Sequence, residues 1–286
     1  RRRPSAHRTM DGPRRSFGGE IVTARVLEKK AAIVTGAGQG IGRGVALQLA
    51  EQGARVVVAD INAETAAETV AIAQSRGGDA VAIGCDIADS ASVESLVDTV
   101  VERFGTLHVI INNAYLGNLP GPLENKAARD FARALQGSFY APLAAMQRAF
   151  PHMKAQRWGR VINMASLNGV NAHIGSADYN VAKEGLRALT RTAAREWAPW
   201  GICCNLICPA ALSAAARRVA AQQPGLIERI SAANPMGRLG DPETDIGGVA
   251  VFLASDDCAY LTGNTLFVDG GAHINGVAWA PDLGEG

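Results

Sequence analysis

The sequence predicts an α/β fold, a single domain built on a doubly wound parallel sheet flanked by helices. Short apolar runs typical of strands alternate with helical segments along most of the 286 residues, which is the order that parallel βαβ units produce. The chain is 48% hydrophobic and contains 32 glycines, enough for a buried sheet and for tight strand-to-helix turns. One cluster of these glycines directly follows the first apolar run.

Each predicted strand is a short apolar run, and each predicted helix repeats apolar residues every three or four positions. The first run ends at the glycine cluster, and the helix after it has Ile41, Val45 and Leu49 on one face. Asp60 closes the second run, and a pair of glycines closes the second helix. The predicted strands are 31–35, 55–59, 80–84, 108–111, 160–164, 202–207 and 265–268. The predicted helices are 41–52, 63–75, 90–104, 127–156, 178–197 and 243–254.

A net charge of +1 conceals a basic N-terminal segment. Residues 1–25 contain seven arginines against two acidic residues, so they carry +5 and the remainder of the chain carries −4. We expect this segment to be a disordered leader, with a transit peptide or a nucleic-acid-binding arm as alternatives. The remainder of the chain has no excess of basic residues, which argues against nucleic-acid binding. No apolar run reaches the roughly 18 residues of a membrane helix.

The five cysteines are odd in number and lack the spacing of a disulfide framework. Cys203, Cys204 and Cys208 fall on or just beyond a predicted strand, and no CxxC pattern or histidine pair accompanies them. We therefore predict buried free thiols, no metal site, and a reducing, cytoplasmic location.

The glycine cluster has the context of a dinucleotide-binding turn, because it lies between a strand and a helix. Gly36, Gly40 and Gly42 allow positive φ angles and close approach of a pyrophosphate to the backbone, while the following helix offers unpaired N–H groups. Asp60 lies 24 residues after Gly36, where an acid binds adenosine ribose hydroxyls and repels a 2′-phosphate. No Arg or Lys adjoins Asp60, so NAD is predicted rather than NADP; capping the next helix is the structural alternative for this residue.

Three residues have the chemistry of a proton-transfer site. Tyr179 and Lys183 are four residues apart on a predicted helix and share a face. An ammonium beside a phenol is expected to lower the pKa of Tyr179 from its usual value near 10, making it a usable general acid/base. Ser166, at the end of the fifth predicted strand, can bind the substrate oxygen. Singly, these residues could be a core aromatic, a solvated lysine and a helix cap; together they favour catalysis.

These segments, in this order, resemble the classical short-chain dehydrogenases/reductases over about residues 27–273. The motifs that carry the resemblance are Thr35-Gly36-x-x-x-Gly40-x-Gly42, Cys85-Asp86-Ile87, Asn112-Asn113-Ala114, Ser166, Tyr179-x-x-x-Lys183 and Val268-Asp269-Gly270-Gly271. The resemblance implies a Rossmann-type sheet in which Ser166 orients the substrate oxygen, Tyr179 exchanges its proton and Lys183 also holds the nicotinamide ribose. The predicted cofactor contacts are Gly36, Gln39, Gly40, Ile41, Gly42, Asp60, Ile61, Asp86, Ile87, Asn113, Ala114, Tyr179, Lys183 and Pro209.

The predicted reaction is hydride transfer between NAD(H) and a small-molecule secondary alcohol or ketone, with Tyr179 as general acid/base. One alternative is a 3-oxoacyl thioester reductase that uses NADPH, against which Asp60 counts. Another is a non-catalytic dinucleotide-binding sensor or scaffold, against which the presence of both Tyr179 and Lys183 counts.

The remaining segments complete the predicted domain organisation. Residues 26–276 form the catalytic domain, in which 210–240 is expected to be a mobile lid over the substrate, and 277–286 form a C-terminal tail. The resemblance implies a homotetramer, and the Ala-rich segment 127–156 offers apolar residues for subunit contacts. These residues are Phe131, Leu135, Leu143 and Met146.

The sequence departs from the family pattern at several points. Tyr115 stands where the family has a glycine after Asn-Asn-Ala, and Ala210 stands where the family has a glycine after the proline that ends the sixth strand. No asparagine occurs in 127–153, where the family has one that supports a proton relay. Ser138 and Gln136 are the candidate substitutes.

Overall fold

The computed structural model describes residues 25–117, 120–211, 223 and 225–274, and at the centre of these residues is a seven-stranded sheet. The strand order is β3-β2-β1-β4-β5-β6-β7, and all neighbouring strands are parallel. The strands are β1 Ala31–Thr35, β2 Arg55–Asp60, β3 Asp79–Gly84, β4 Val109–Asn112, β5 Gly159–Met164, β6 Ile202–Pro209 and β7 Thr265–Val268. The predicted doubly wound parallel sheet is confirmed.

Helices connect successive strands and cover both faces of the sheet. The α-helices are α1 Gly40–Glu51, α2 Ala63–Ser75, α3 Ser90–Phe104, α4 Ala128–Leu135, α5 Ala141–Gln156, α6 Leu167–Val170, α7 Ala177–Trp197, α8 Leu226–Ala232 and α9 Gly248–Ala254. Two π-helices adjoin them, Gln136–Tyr140 and Pro242–Gly247. Among the described residues, none of the helices combines the length and the apolar composition that a membrane span requires.

Alternate residues of the central strands point into two separate cores. Val34 of β1 packs with Val45 of α1 in the core that α1, α2 and α9 cover. Ile33 packs with Val97 of α3 in the core on the other face, which α3, α5 and α7 cover. Met146 also belongs to this second core and is 1% exposed, so its predicted place at a subunit contact is wrong. Helical periodicity alone could not separate an inward-facing methionine from an outward-facing one.

The direction in which successive strands are added to the sheet reverses between β1 and β4, which lie side by side. Strands β2 and β3 lie on the far side of β1, and strands β5 to β7 lie on the far side of β4. At such a point the connections from the two strands leave to opposite faces, and a crevice opens at their carboxyl ends. The residues after Thr35 and after Asn112 therefore form the two sides of one opening.

Most predicted bounds agree with the structure within two residues, and those of α2 and α3 coincide with it. The predicted helices 127–156 and 243–254 are wrong in detail, because each contains a π-helical turn. A π-turn adds a residue to one turn of helix but leaves the apolar spacing on either side intact, so the sequence pattern does not reveal it.

Several predicted segments lie wholly or partly outside the described residues. Of the basic leader 1–25, only Arg25 is described, and the C-terminal tail 277–286 is not. Residues 212–222 and 224 of the lid are not described either. The leader, the tail and the lid therefore stay predictions.

Candidate active site

A cleft of about 470 Å³ opens at the carboxyl ends of the central strands. Every residue that was predicted to contact the cofactor lines this cleft. The other lining residues are Thr35, Ala59, Cys85, Tyr115, Leu116, Met164 and Ala165. The arrangement follows from the parallel sheet, because all strands deliver their final residues to the same edge.

The glycine turn between β1 and α1 forms the floor of the cleft and leaves no room for side chains. Gly36 and Gly40 have φ angles of +64° and +57°, which favour glycine. A methyl group on Gly42 would collide with the carbonyl oxygen of Gly36. This cradle fits a pyrophosphate, which needs close approach to backbone N–H groups at the start of a helix.

Hydrogen bonds tie the ends of β1 and β4 together beneath the cleft. The side-chain amide of Asn113 donates to the carbonyl oxygens of Thr35, at 2.9 Å, and Gly36, at 3.2 Å. The Thr35 hydroxyl accepts from the backbone N–H groups of Asn113, at 3.0 Å, and Ala114, at 3.1 Å. Asn113 thus acts as a brace of the glycine turn, and Thr35 is a supporting residue that the sequence analysis did not select.

The Asp60 carboxylate is held at the end of β2 by two backbone N–H groups. Oδ2 accepts from Gly38 at 2.8 Å, and Oδ1 accepts from Asn62 at 3.0 Å. Asn62, rather than Asp60, caps α2 by accepting from the N–H groups of Glu64 and Thr65. The structural alternative of Asp60 as a helix cap is therefore wrong. Asp60 lines the cleft, and its predicted contact with the cofactor ribose stays a prediction.

Arg43 lies on α1, close to the glycine turn, but its guanidinium is already engaged. Nε donates to the Gly38 carbonyl oxygen and to Thr69 Oγ1, both at 2.9 Å. Nη2 lies 2.8 Å from Glu68 Oε2. The hydrogen bonds stabilise the glycine turn, and the ion pair with Glu68 neutralises the charge of Arg43.

The structure brings Ser166, Tyr179 and Lys183 together at the other end of the cleft. The Ser166 hydroxyl is hydrogen-bonded to the Tyr179 phenol and also caps α6 by accepting from Asn168 N at 3.2 Å. The Lys183 ammonium is buried, donates to Met164 O at 2.7 Å, and lies 5.6 Å from the centroid of the Tyr179 ring. Ser166 therefore caps α6, which was the structural alternative for it, and also contacts Tyr179; its role in binding the substrate oxygen stays a prediction.

The pKa of Tyr179 differs from the value that the sequence predicts. Burial raises the pKa of Tyr179 above its usual value, although the hydrogen bond from Ser166 opposes the rise. The predicted lowering of the Tyr179 pKa is wrong, because the loss of water around the phenol has the largest effect and disfavours the phenolate. Burial also lowers the pKa of Lys183 to about 8. At neutral pH Tyr179 is thus a protonated donor, and Lys183 is mainly cationic.

Tyr115 forms an aromatic wall beside Tyr179. Its ring meets the Tyr179 ring edge-on, with 5.0 Å between the centroids, and its centroid lies 5.9 Å from Lys183 Nζ. Burial and the proximity of Tyr179 and Asp178 raise the pKa of Tyr115 above its usual value, so it is a neutral phenol. A glycine here would leave this side of Tyr179 open.

The two candidate substitutes for the missing asparagine lie on the π-helix Gln136–Tyr140. The Gln136 amide donates to Ser90 Oγ at 3.3 Å, at the start of α3, so Gln136 is engaged elsewhere. Ser138 is 1% exposed, and its hydroxyl has no hydrogen-bond partner among the described residues. Ser138 therefore stays the candidate.

A buried ion pair next to Tyr179 was not predicted from the sequence. Lys126 Nζ lies 2.8 Å from Asp178 Oδ1. Asp178 precedes Tyr179 directly and could have been noticed on that ground, but as an acidic residue in the first turn of a helix it looks ordinary. Nothing in the sequence connects Lys126 to it.

The five cysteines are free and buried, as predicted. Burial raises the pKa of Cys204 and Cys208, the latter to about 12, so both are neutral thiols at physiological pH. The cytoplasmic location expected from such thiols stays a prediction.

Comparison with known proteins adds independent evidence. The sequence model of a family described as enoyl-(acyl carrier protein) reductase matches residues 36–273. The chain is 36% identical to 3-oxoacyl-[acyl-carrier-protein] reductase FabG of Staphylococcus aureus, over 86% of this chain and 98% of that protein. It is 34% identical to a 12alpha-hydroxysteroid dehydrogenase of Clostridium sp., over 86% and 97% respectively. The solved structure of a 7 alpha-hydroxysteroid dehydrogenase complexed with NADH and 7-oxo glycochenodeoxycholic acid superposes with a TM-score of 0.81 at 33% identity, covering 87% of this chain and 96% of that one.

Proposed function

This chain belongs to the short-chain dehydrogenase/reductase family, and we propose from that premise that it transfers hydride between NAD(H) and a secondary alcohol or ketone. As a member it is an NAD(P)-dependent oxidoreductase that acts on CH–OH groups. The observation that carries the proposal is the placement of Tyr179, hydrogen-bonded to Ser166 and close to Lys183, in the wall of the cleft that the predicted cofactor contacts line.

In the reduction direction, the protonated Tyr179 donates its phenolic proton to the carbonyl oxygen of the ketone. Ser166 orients that oxygen through its hydroxyl, and the cationic Lys183 stabilises the phenolate that remains. The nicotinamide cofactor supplies the hydride to the carbonyl carbon when it is bound. In the oxidation direction the same phenolate takes the proton of the alcohol.

The preference for NAD rests on the geometry of Asp60. Its carboxylate is fixed at the rim of the glycine turn, where it would accept hydrogen bonds from ribose hydroxyls and repel a 2′-phosphate. Arg43, a cation that could receive a 2′-phosphate, is committed to Gly38, Thr69 and Glu68.

A second candidate function is reduction of a 3-oxoacyl thioester with NADPH. The similarity to FabG supports it, whereas Asp60 opposes its usual cofactor. The hydroxysteroid dehydrogenases among the similar proteins support cyclic secondary alcohols instead.

One experiment separates these functions. The absorbance of the reduced cofactor is followed with NAD and cyclic or linear secondary alcohols, and with NADPH and a 3-oxoacyl thioester. Fluorescence titration gives the affinities for NADH and NADPH, in the wild type and in Asp60→Asn, which keeps the side-chain shape but removes the charge. We expect NADH to bind at least about tenfold tighter than NADPH in the wild type, and the ratio to fall in Asp60→Asn because repulsion of the 2′-phosphate is lost.

Oxidation of secondary alcohols with NAD supports the proposal. Turnover confined to the thioester and NADPH would establish the second candidate, and cofactor binding without turnover of any substrate would establish the sensor or scaffold. Glu64→Gln, at an exposed position in the first turn of α2, is the control that removes a charge without touching the cleft.

We also propose the homotetramer that the family resemblance implies. Phe131 and Leu135 on α4 and Leu143 on α5 are partly exposed and supply apolar surface for it. Light scattering should give about four times the chain mass of 29.8 kDa. A mass equal to one chain would contradict the proposal.

A further inference from the structure

A buried ion pair joins two walls of the cleft. The side chains of Lys126 and Asp178 are only 5% and 3% exposed, and their charged atoms are 2.8 Å apart. Charged side chains are almost never this buried unless they are paired, because removing a charge from water is unfavourable. The Oδ1 atom of Asp178 accepts no hydrogen bond of regular geometry within the described part of the chain. Its compensation there is the charge of Lys126.

The two residues belong to segments that are distant in sequence. Asp178 lies in the first turn of α7, directly before Tyr179, and Lys126 lies shortly before α4, on the connection that leaves β4. A second contact joins the same segments, since the Gly121 N–H donates to the Gly175 carbonyl oxygen at 2.9 Å. The connection after β4 is thus attached to the start of α7 at two points.

That connection begins with Tyr115, whose ring packs edge-on against Tyr179. The groups that surround the Tyr179 phenol come from four elements: Tyr115 from the connection, Ser166 from the start of α6, Cys208 from β6, and Lys183 from α7 itself. Asp178 is close enough to Tyr115 to raise the pKa of that phenol. The ion pair therefore adjoins the immediate surroundings of Tyr179.

Stability alone does not account for the pair. Apolar side chains of the same volume would join two buried walls equally well or better, because desolvation offsets most of the attraction between buried charges. What an ion pair adds is a defined position for each partner and a net charge of zero. Removing one partner leaves an uncompensated charge beside Tyr179, and its sign depends on which partner is removed.

We propose that Lys126 and Asp178 are positioning residues for Tyr179, whose ion pair holds the segment carrying Tyr115 against α7 and keeps the surroundings of the phenol electrically neutral. This inference rests on the proposed role of Tyr179 in proton transfer.

The first measurement needs no turnover. The chain has four tyrosines, so ultraviolet absorbance against pH, with the same titration of a Tyr179→Phe counterpart subtracted, isolates the ionisation of Tyr179. Lys126→Met leaves the carboxylate, which disfavours phenolate, and should raise the pKa of Tyr179. Asp178→Asn leaves the ammonium and should lower it. The double variant should return towards the wild type.

The second measurement is steady-state kinetics on the same variants. Each single variant should lower kcat about tenfold, the effect of a modest misplacement of a reacting group, with KM for the cofactor changed less than about twofold. Lys126→Arg keeps the charge and should retain most of kcat. Arg76→Met, which breaks an exposed ion pair with Glu243 outside the cleft lining, is the matched control.

Shifts of the Tyr179 pKa in the same direction, or no shift together with wild-type kcat, would overturn the inference. Urea unfolding shows whether each variant is folded, and Asp178→Asn, which keeps the side-chain shape, decides the test if Lys126→Met does not fold. A wild type without turnover would contradict the proposed function, whereas the titration would still show whether the pair governs the ionisation of Tyr179.

Discussion

Replacing Tyr179 by phenylalanine is expected to lower kcat/KM about a thousandfold, within the range of about 10²–10⁴ that general acid/base catalysis contributes. Phenylalanine keeps the ring that lines the cleft and packs against Tyr115, but it removes the hydroxyl that bonds Ser166. The effect should therefore appear in catalysis, and the affinity for NADH should change little. Initial rates with a secondary alcohol and NAD, together with fluorescence titration of NADH, measure the two quantities separately.

Tyr260→Phe is the matched control for this variant, because Tyr260 is fully exposed and lies outside the cleft. It should retain wild-type rates. If Tyr179→Phe kept kcat/KM within about tenfold of the wild type, another group would have to transfer the proton.

Gly42→Ala is expected to abolish measurable NADH binding and to lower the free energy of unfolding by about 1–3 kcal/mol, the usual cost of overpacking. The added methyl group would collide with the Gly36 carbonyl oxygen and press on the Asn113 amide that braces the turn. Relieving the collision must move the N–H groups that face the pyrophosphate. Fluorescence titration of NADH and urea unfolding measure the two effects.

The control for this variant is Gly248→Ala at the exposed start of α9, where a methyl group would meet no atom within 4 Å. It should bind NADH normally and should be stabilised by up to about 1 kcal/mol, because alanine is the better helix former. Wild-type NADH affinity in Gly42→Ala would contradict the placement of the cofactor on the glycine turn.

The doubly wound sheet could be predicted because its signals are local. The run of β1, the glycines after it and the apolar face of α1 each lie within about a dozen residues, and each agrees with the same βαβ arrangement. The π-turn at Gln136–Tyr140 could not be predicted, because it changes the path of the helix without changing the apolar pattern around it.

The cleft could be predicted for a related reason. A parallel sheet delivers the carboxyl ends of its strands to one edge, so residues such as Asp60 and Ser166 must come to the same edge of the sheet as the glycine turn once the strands are assigned. Tyr179 and Lys183 share a helix face by spacing alone. The sequence therefore determined which side chains meet in this part of the protein.

Tertiary structure alone decided how those side chains behave. The pKa of Tyr179 rises because the assembled walls exclude water, and that exclusion depends on every element around the cleft. Gln136 is hydrogen-bonded to Ser90, and Lys126 forms an ion pair with Asp178. Both contacts join elements that are distant in sequence, and no sequence pattern indicates them. Spacing along a chain encodes neighbours on one element, whereas burial and contacts between elements exist only after the elements have packed.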